Sequence, residues 1–440
     1  LSILLSLLVP AQPNRSPDCG GILTPSGLSY CKCGLCISSG ISRGGRGSTR
    51  TSQRWRRRLP SASNSEGRVQ VTSVNVSSLS LSLVPHAGLR LSIDAHLGTS
   101  SSALSTSRVV KLSILADLHV EMNLEGNLEL GTSSCKPTVE GTGSSTEEVE
   151  SSLCLLSLFS TPQVCLDVSK LLLSPNERLF SLTTQFPITP SCQVQYVPLA
   201  VPMFSEQGII ISLQTTFQVA GIPIPLPVSP VPFSMPEPAS SSPSHLTLAF
   251  SEHFYTSLFF ALEIAGAFNM TLLSPLTTNT MAQKIPQMGS LFQEDVPVIL
   301  QAVFRSSPRV ELEEGKAALK LFLTVHVGAG PAAFQSFLSV SVPPAPPPLL
   351  LPPPSRAGPC PSAPALGSSK LWLCPWQDAV LEEMLMPIIR REVPAQLNAV
   401  LSEGIFLPHI SGFTYRDVSV VIHRDYVLVP CNLQLQERIG

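Results

Sequence analysis

The side chains that could carry out chemistry in this chain are its cysteines, histidines and acidic residues, and their spacing limits what each could do. Cys31, Cys33 and Cys36 form the sequence CKCGLC. A tetrahedral zinc site needs a fourth ligand at a suitable spacing, and no histidine follows within reach. The eight histidines are scattered singly, without HExxH or another paired spacing. We therefore expect no metal site and no cofactor.

A serine motif and a group of glutamates are the remaining candidates for catalysis. Residues 40–44 match the GxSxG pattern of hydrolases, but that motif works by holding its serine on a strained turn between a strand and a helix. Here it lies in a stretch rich in Gly and Arg. Glu147, Glu148 and Glu150 lie among Ser and Gly, which is typical of a solvated loop rather than of a general acid/base pair. The sequence offers no catalytic constellation, and we expect a protein that is not an enzyme.

The composition favours an extended, β-rich structure. Only 13% of the 440 residues are charged, 42 are proline, and the mean hydropathy is +0.26. A chain this apolar is not expected to stay solvated and disordered, yet it has no uninterrupted run of 18 apolar residues that would span a bilayer. Leu, Val and Ser dominate, so strands with proline-rich connections are the first expectation.

Two features indicate an exported protein. Residues 1–13 contain the apolar run LSILLSLLVPAQ, which resembles the core and cleavage zone of a secretory signal. Asn75 and Asn269 stand in Asn-x-Ser/Thr sequons and are glycosylation candidates. Together they predict a secreted, extracellular glycoprotein.

Two cysteines are placed for a disulfide. Cys135 and Cys165 each border β-like sequence, and a bridge between them would close a loop of about 30 residues. Loop-closure entropy gives roughly 3.6 kcal/mol for such a bridge. Cys154, inside the loop, is the rival partner.

Residues 14–66 are typical of a disordered segment, because Gly, Ser and Arg alternate there without an apolar period. Seven arginines crowd the sixteen positions Arg43–Arg58. This basic run is open to two interpretations: a site for a polyanion such as heparin, nucleic acid or anionic lipid, or plain disorder. Of these two interpretations we favour plain disorder, and we expect no nucleic acid partner.

The remaining chain divides into two long segments joined by a linker. Apolar and polar residues alternate over long stretches of residues 67–220, which predicts half-buried antiparallel strands. Residues 221–240 hold alternating prolines, which forbid a helix or a central strand and favour a polyproline-like linker. The second segment, residues 241–440, contains a proline-rich insertion at 343–370.

Two helices are predicted in the second segment. Residues 251–266, SEHFYTSLFFALEIAG, have Ser251 as N-cap and apolar side chains on one face. Gln377–Glu403 has helical period but contains Pro387 and Pro394, which should kink it. The strand-like segments between the two helices are Pro297–Arg305, Arg309–Leu312 and Ala318–Val327.

The order of these segments resembles the bactericidal/permeability-increasing and lipopolysaccharide-binding protein family, particularly the BPI fold-containing family B. The similarity covers about residues 67–342 and 377–435. Its best local matches are the strand, helix and strand of residues 246–271 and the C-terminal stretch LSEGIFLP. The pair Cys135 and Cys165, with CLDVSKLLLS starting at the second cysteine, matches the family's single disulfide.

The resemblance implies an α+β fold: a two-lobed boomerang in which each lobe packs a twisted antiparallel barrel or sheet on a long helix. A central sheet and the proline-rich linker would join the lobes. It further implies a secreted protein of innate immunity that holds lipid in apolar pockets between sheet and helix and contacts membrane surfaces transiently. Three family features are missing from the pattern: helical period before the first strand, a helix between the two cysteines, and strands between Val342 and the last helix.

Pocket residues and a ligand class follow from the resemblance and from charge. The pocket candidates lie on the apolar face of a strand-like segment or on one face of the first predicted helix, and they are Ile211, Leu213, Phe217, Phe254, Leu258 and Leu262. Residues 67–240 carry seven Lys or Arg against thirteen Asp or Glu, a net charge of −6. Because neutralising lipid A phosphates requires a basic surface, a phospholipid or another neutral or weakly polar acyl-chain lipid is the expected partner.

Overall fold

The computed structural model describes the greater part of the chain. The described residues are 16–30, 69–101, 107–140, 161–173, 176, 179, 183–225, 231, 233–236, 244–286, 294–329, 335–342, 375–402, 404–408 and 413–435. Several sequence features lie outside them: the apolar run of residues 1–13, the CKCGLC cysteines, the GxSxG match, the Arg43–Arg58 run, the Glu147–Glu150 group, Cys154 and the insertion at 343–370.

The fold is α+β, with a central antiparallel sheet between two lobes that each contain a further antiparallel sheet. The central sheet contains β1 (Cys19–Leu23), β6 (Gln185–Thr189), β7 (Cys192–Pro198), β8 (Met203–Ser205), β9 (Gly208–Val219), β10 (Ile222–Pro223), β11 (Leu246–Ser251), β16 (Phe413–Arg416), β17 (Val421–His423) and β18 (Tyr426–Leu435). The first lobe contains β2 (Val69–Val84), β3 (Gly88–Ser101), β4 (Ser107–Met122), β5 (Leu128–Glu140) and helix α1 (Thr161–Leu171). The second lobe contains β12 (Met270–Thr277), β13 (Pro297–Glu313), β14 (Lys316–Ala329), β15 (Gln335–Val342) and helices α2 (Glu252–Ile264), α3 (Thr278–Lys284) and α4 (Pro375–Leu401).

The first-lobe sheet is a run of antiparallel neighbours in chain order, β2-β3-β4-β5. Such pairing follows from long alternating segments joined by short turns. The turn from β2 to β3 ends at Gly88, whose φ is +138°. A Cβ atom at this position would lie 2.3 Å from the Leu118 carbonyl oxygen, so only glycine allows β3 to approach β4 here.

The central sheet is ordered β16-β18-β11-β1-β9-β7-β6, and β1 therefore lies between strands from the two halves of the chain. Its Cys19 is in register with Leu213 of β9 on one side and with Phe250 of β11 on the other. Beyond β1, residues 25–30 are helical. The N-terminal strand thus joins the two halves into one sheet.

The position of β1 corrects the assignment of all of residues 14–66 to a disordered segment. Residues 16–30 are folded, and Cys19 and Ile22 are fully buried. A five-residue strand buried on both faces has no polar alternation, and its two glycines lower its β propensity, so neither periodicity nor composition predicts it. Tertiary pairing on both edges determines the conformation instead.

Described residues of the segment 221–240 pack on the central sheet. Ile222–Pro223 pairs briefly with the end of β9, where proline is tolerated because the strand is at an edge. Farther along, Met235 lies against Gly20 of β1, and the Phe233 ring lies 6.5 Å from the Tyr426 ring of β18.

Helix α2 begins and ends as the sequence predicts. The Ser251 hydroxyl accepts a hydrogen bond from the Phe254 amide, and the chain turns away at Gly266, whose φ is +73°. On its other face, the Glu252 carboxylate accepts from the Leu312 amide (2.8 Å) and Thr256 Oγ1 accepts from the Val310 amide (3.3 Å). The helix therefore accepts hydrogen bonds from amides of β13 in the part of that strand that does not pair with β12.

The second-lobe sheet is ordered β12-β13-β14-β15 and differs from the prediction in two respects. β15 lies outside the predicted strand-like segments. Pro297–Arg305 and Arg309–Leu312 form one strand, β13, whose register shifts near Ser306. A bulge leaves a residue out of the ladder, so Pro308, which has no amide hydrogen to donate, is accommodated within the strand. Helix α4 is continuous through Pro387 and Pro394.

Two apolar cores hold these elements together. One lies inside the first lobe, and the other spans the central sheet, α2, α4 and the second-lobe sheet. Within the described chain, none of the helices is long and apolar enough to cross a bilayer.

The disulfide between Cys135 and Cys165 generates a stability prediction. It joins β5 to α1, and the two residues are 30 apart in sequence. We expect Cys165→Ser to lower the free energy of unfolding by about 2–4 kcal/mol, because the unfolded chain regains the freedom of that loop. Urea denaturation of the variant and the parent protein measures the difference. An unchanged midpoint would contradict it, and so would a Cys135–Cys154 linkage in non-reducing peptide maps.

Candidate functional site

The inner face of the first-lobe sheet is a long apolar surface built by alternate residues of neighbouring strands. Alternate residues of β3 and β4 point inward and are nearly all buried: Leu89, Leu91, Ile93, Leu97, Val110, Leu112, Ile114 and Leu118. Their neighbours in sequence point outward, because side chains alternate across a strand. Sequence reasoning found this alternation but did not include these residues among the pocket candidates.

The outer face of the same strands is polar and cross-linked by hydrogen bonds. Arg90 Nε lies 2.8 Å from Asp117 Oδ1, and Asp117 also accepts from the Ser134 hydroxyl. These hydrogen bonds hold the pKa of Asp117 below its usual value, and the bond from Arg90 has the largest effect. Asp94 accepts from Ser78 and Ser113, and its pKa is lowered for the same reason. The outer network fixes which face of the sheet meets water.

Helix α1 covers part of the inner face. Val164 and Val168 of the helix, with Leu172 directly after it, contact the first-lobe core, and the Cys135–Cys165 bond fixes the helix to β5. The 11 residues of α1 span about 16 Å, whereas the 16 residues of β4 span about 50 Å. The inward apolar side chains of β4 run from Val110 to Leu118, about 30 Å, so the apolar face is about twice as long as this helix.

Five of the six pocket candidates lie together in the second core. Leu213 and Phe217 of β9 and Phe254, Leu258 and Leu262 of α2 are each at most 3% exposed. The rings of Phe217 and Phe254 have centroids 6.4 Å apart, and Phe250 lies 4.8 Å from Phe254. The structure therefore uses these side chains as closely packed core. Ile211 is partly buried and contacts both cores.

The second lobe buries one face of α4 against its sheet. The core positions on the helix are Leu385, Ile388, Ile389, Val393 and Leu397. Leu272, Leu300 and Val325 belong to the same core, and Gln396 Nε2 donates to the Thr271 carbonyl (3.0 Å). This lobe thus repeats the arrangement of a sheet covered by a helix.

The central sheet contains a buried carboxylate, Asp18, next to β1. Its Oδ1 accepts from the Thr215 amide (2.9 Å), its Oδ2 accepts from the Thr215 hydroxyl, and its carbonyl accepts from the Ser251 amide (2.8 Å). Loss of hydration on burial raises the pKa of Asp18, against the hydrogen bonds from Thr215 and the charge of His253. Asp18 therefore ties β1 to both neighbouring strands.

The free cysteines of the described chain are buried and belong to the central sheet. They are Cys19, Cys192 and Cys431. Burial raises the pKa of Cys192 to about 11 and that of Cys431 to about 12, so both remain thiols at neutral pH.

The two glycosylation candidates are exposed. Asn75 lies on the edge strand β2, and Asn269 lies in the connection from α2 to β12. No group of three or more His, Cys, Asp or Glu side chains comes together as a metal site among the described residues.

Comparisons with known proteins give consistent relatives. No family model matches the chain. The chain is 51% identical to Protein TENP of Gallus gallus, over the full length of both proteins. It is 26% identical to BPI fold-containing family B member 2 of Mus musculus, over 84% of this chain and 85% of the relative. The crystal structure of lipopolysaccharide binding protein covers 96% of the chain at 16% identity, with a TM-score of 0.49.

Substitution of Asp18 tests how β1 is held. We expect Asp18→Ala to lower the free energy of unfolding by about 1–3 kcal/mol, because the buried Thr215 amide loses its acceptor. Asp18→Asn keeps an acceptor for that amide and serves as the matched control. Chemical denaturation of the three proteins gives the values, and equal stability of Asp18→Ala and Asp18→Asn would exclude an anchoring role.

The same residue gives a pH dependence. Asp18 has a pKa above its ordinary value of 3.8 in the folded protein, so the folded state holds this proton more tightly than the unfolded state. The contribution to stability is present at low pH and is lost as pH rises from about 3.8 through the raised pKa. Asp18→Asn should therefore gain stability relative to the parent protein across that window. A stability difference that is constant between pH 4 and 8 would contradict the assignment.

Proposed function

The chain belongs to the BPI fold-containing family B, and from this premise we propose that it is a secreted lipid-binding protein of innate immunity that holds acyl chains between sheet and helix. It acts by binding rather than by catalysis. Its partner is a phospholipid or another acyl-chain lipid, taken up during transient contact with a membrane surface.

The inner face of the first-lobe sheet is the observation that carries the proposal. Burying an acyl chain is worth roughly 0.8 kcal/mol per CH₂, so an extended apolar face suits this ligand better than a small polar pocket would. The buried Leu, Ile and Val side chains of β3 and β4 are only 2–8% exposed, so a bound lipid would take the place of part of the cover that now buries them.

Charge supports a neutral or zwitterionic headgroup. The first half carries a net charge of −6 over residues 67–240, and its outer carboxylates at Asp94 and Asp117 keep lowered pKa values and stay ionised at neutral pH. Anionic headgroups would be repelled by this charge.

The packed cluster of Leu213, Phe217, Phe254, Leu258 and Leu262, with Ile211 at its edge, is the second proposed lipid contact. Because these residues are closed in the core, lipid would reach them only if β9 and α2 separate. The first-lobe face is the principal site in this proposal because its apolar side chains continue along two long neighbouring strands.

Export is supported by chemistry in the described chain. The Cys135–Cys165 disulfide is of a kind that forms in oxidising compartments, and both sequon asparagines are exposed. We expect the secreted protein to lose mass on treatment with peptide-N-glycosidase F. Asn75→Gln and Asn269→Gln should each remove one glycan, as read by mass spectrometry, and identical masses before and after treatment would refute glycosylation.

Lipid binding is tested on matched leucines of one strand. Leu112 points inward and is 7% exposed, whereas Leu115 points outward and is 41% exposed. We expect Leu112→Ala to weaken the uptake of a fluorescent fatty-acyl probe by about three- to tenfold, because three buried carbons are lost. Leu115→Ala should bind like the parent protein. Equal binding by both variants, or no co-purifying lipid in native mass spectrometry, would count against the proposal.

The alternative is binding of a polyanion through the Arg43–Arg58 run, favoured by its density of positive charge. Contacts with a polyanion weaken steeply as salt rises, whereas acyl burial does not. Because β1 is part of the central sheet, the informative deletion removes residues 37–62 and spares residues 16–30. We expect the deletion variant to take up the fluorescent fatty-acyl probe as well as the parent protein does, at every salt concentration from 50 to 500 mM NaCl. Loss of this uptake in the deletion variant would favour the alternative.

A further inference from the structure

The slot that holds β1 has backbone partners on both sides. β9 pairs with residues 19–23 through Ile209–Leu213, and β11 pairs with the same residues through Leu246–Phe250. β9 and β11 are not neighbours in the sheet. Together they form a site for one extended strand, with hydrogen-bonding groups along two edges.

Polar contacts fix the strand at both ends of the slot. At its start, Asp18 accepts from Thr215 of β9, and the Asp18 carbonyl accepts from the Ser251 amide that follows β11. At its end, Thr24 Oγ1 donates to the Ser244 carbonyl (2.7 Å), and the Thr24 amide donates to the His245 carbonyl (3.1 Å). The slot thus defines both the length and the direction of its occupant.

The middle of the slot selects glycine. A Cβ atom at Gly20 would lie 2.5 Å from the Ile211 carbonyl oxygen and 2.7 Å from Met235 Sδ of the linker. At Gly21 it would lie 3.1 Å from Leu248 Cδ2. The backbone oxygen has no room to move, so a larger residue at position 20 cannot enter without distorting β9. Cys19 and Ile22 are fully buried on either side of the glycine pair.

The occupant is connected to the rest of its chain by a long segment. Tyr30 and Val69, the nearest described residues on either side, are separated by 38 positions. Extended chain covers about 3.3–3.6 Å per residue, so 38 residues reach well over 100 Å, farther than the length of either lobe sheet. The connection therefore does not restrict β1 to the slot of its own chain.

We propose that the slot between β9 and β11 is a strand-binding site that accepts residues 18–24 of a second copy of this chain when the protein's own β1 withdraws. The recognised ligand is an extended peptide with an acidic first residue, a central Gly-Gly pair and apolar residues on either side. Exchange between two copies produces a dimer in which each slot is completed by the partner's strand.

Peptide uptake tests the slot directly. The probe is a fluorescein-labelled peptide of residues 16–30 carrying Cys19→Ala, which prevents thiol exchange, and the control peptide carries Gly20→Val in addition. When the labelled peptide is incubated with the full-length protein, its fluorescence anisotropy should rise slowly, because the slot becomes free only as β1 withdraws. An excess of the same peptide without the label should reverse the rise. The control should bind at least about tenfold more weakly because of the clash at Ile211. No uptake, or equal uptake of the two peptides, would overturn the proposal.

Exchange between whole proteins tests the second copy as occupant. Two preparations with different affinity tags are mixed at high concentration, and one tag is captured. We expect mixed complexes that increase with time and are suppressed by an excess of the unlabelled peptide. Absence of mixed complexes, or complexes that the peptide leaves unchanged, would show that β1 serves only its own chain. Neither outcome depends on lipid binding, so the lipid proposal stands or falls separately.

Discussion

The double pairing of β1 is the interaction on which the rest of the structure depends. A sheet shared by two halves of a chain needs a continuous ladder of backbone hydrogen bonds, and here five residues provide it between β9 and β11. The position of β1 also requires glycine where the linker crosses, and it brings a carboxylate into the sheet at Asp18. Burial removes water from the Asp18 carboxylate, and the hydrogen bonds from Thr215 compensate in part for that loss. The same hydrogen bonds attach the start of β1 to β9.

The lobes depend on a different constraint, which is the alternation of side chains along strands. In β4, Leu112, Ile114 and Leu118 enter the core, while Ser113 and Asp117 form the outer network. Shifting the register by one residue would bring Asp117 inward, where a carboxylate without partners is strongly disfavoured. The outer hydrogen bonds and the inner apolar face therefore select the same register. The surface proposed for lipid is a consequence of the same alternation that builds the sheet.

Sequence reasoning predicts best where a local pattern decides the structure. The alternation after Gly67 predicts the first-lobe strands, and Ser251 with Gly266 predicts the ends of α2, because capping groups act within one turn of the helix. Strand β1 was missed since its conformation is set by strands about 190 to 230 residues away. Five of the pocket candidates, all but Ile211, lie together in one core. Their degree of burial depends on which element covers them, and periodicity does not contain this information.

The two apolar regions differ in what a ligand must disrupt. Entry between β9 and α2 would separate Phe217 from Phe254. Any movement of α2 would also break the hydrogen bonds that the β13 amides of Leu312 and Val310 donate to Glu252 and Thr256. The helix is thus held on two faces. Helix α1 has one buried face, and its attachments lie along β5: the Cys165 disulfide, the contact between the Ser169 and Thr132 hydroxyls (3.4 Å), and two hydrogen bonds between Asn176, just beyond the helix, and the Leu130 backbone. Displacing α1 would break polar contacts with one strand, whereas displacing α2 would break contacts on two faces, and this difference supports the first lobe as the lipid site of the proposal.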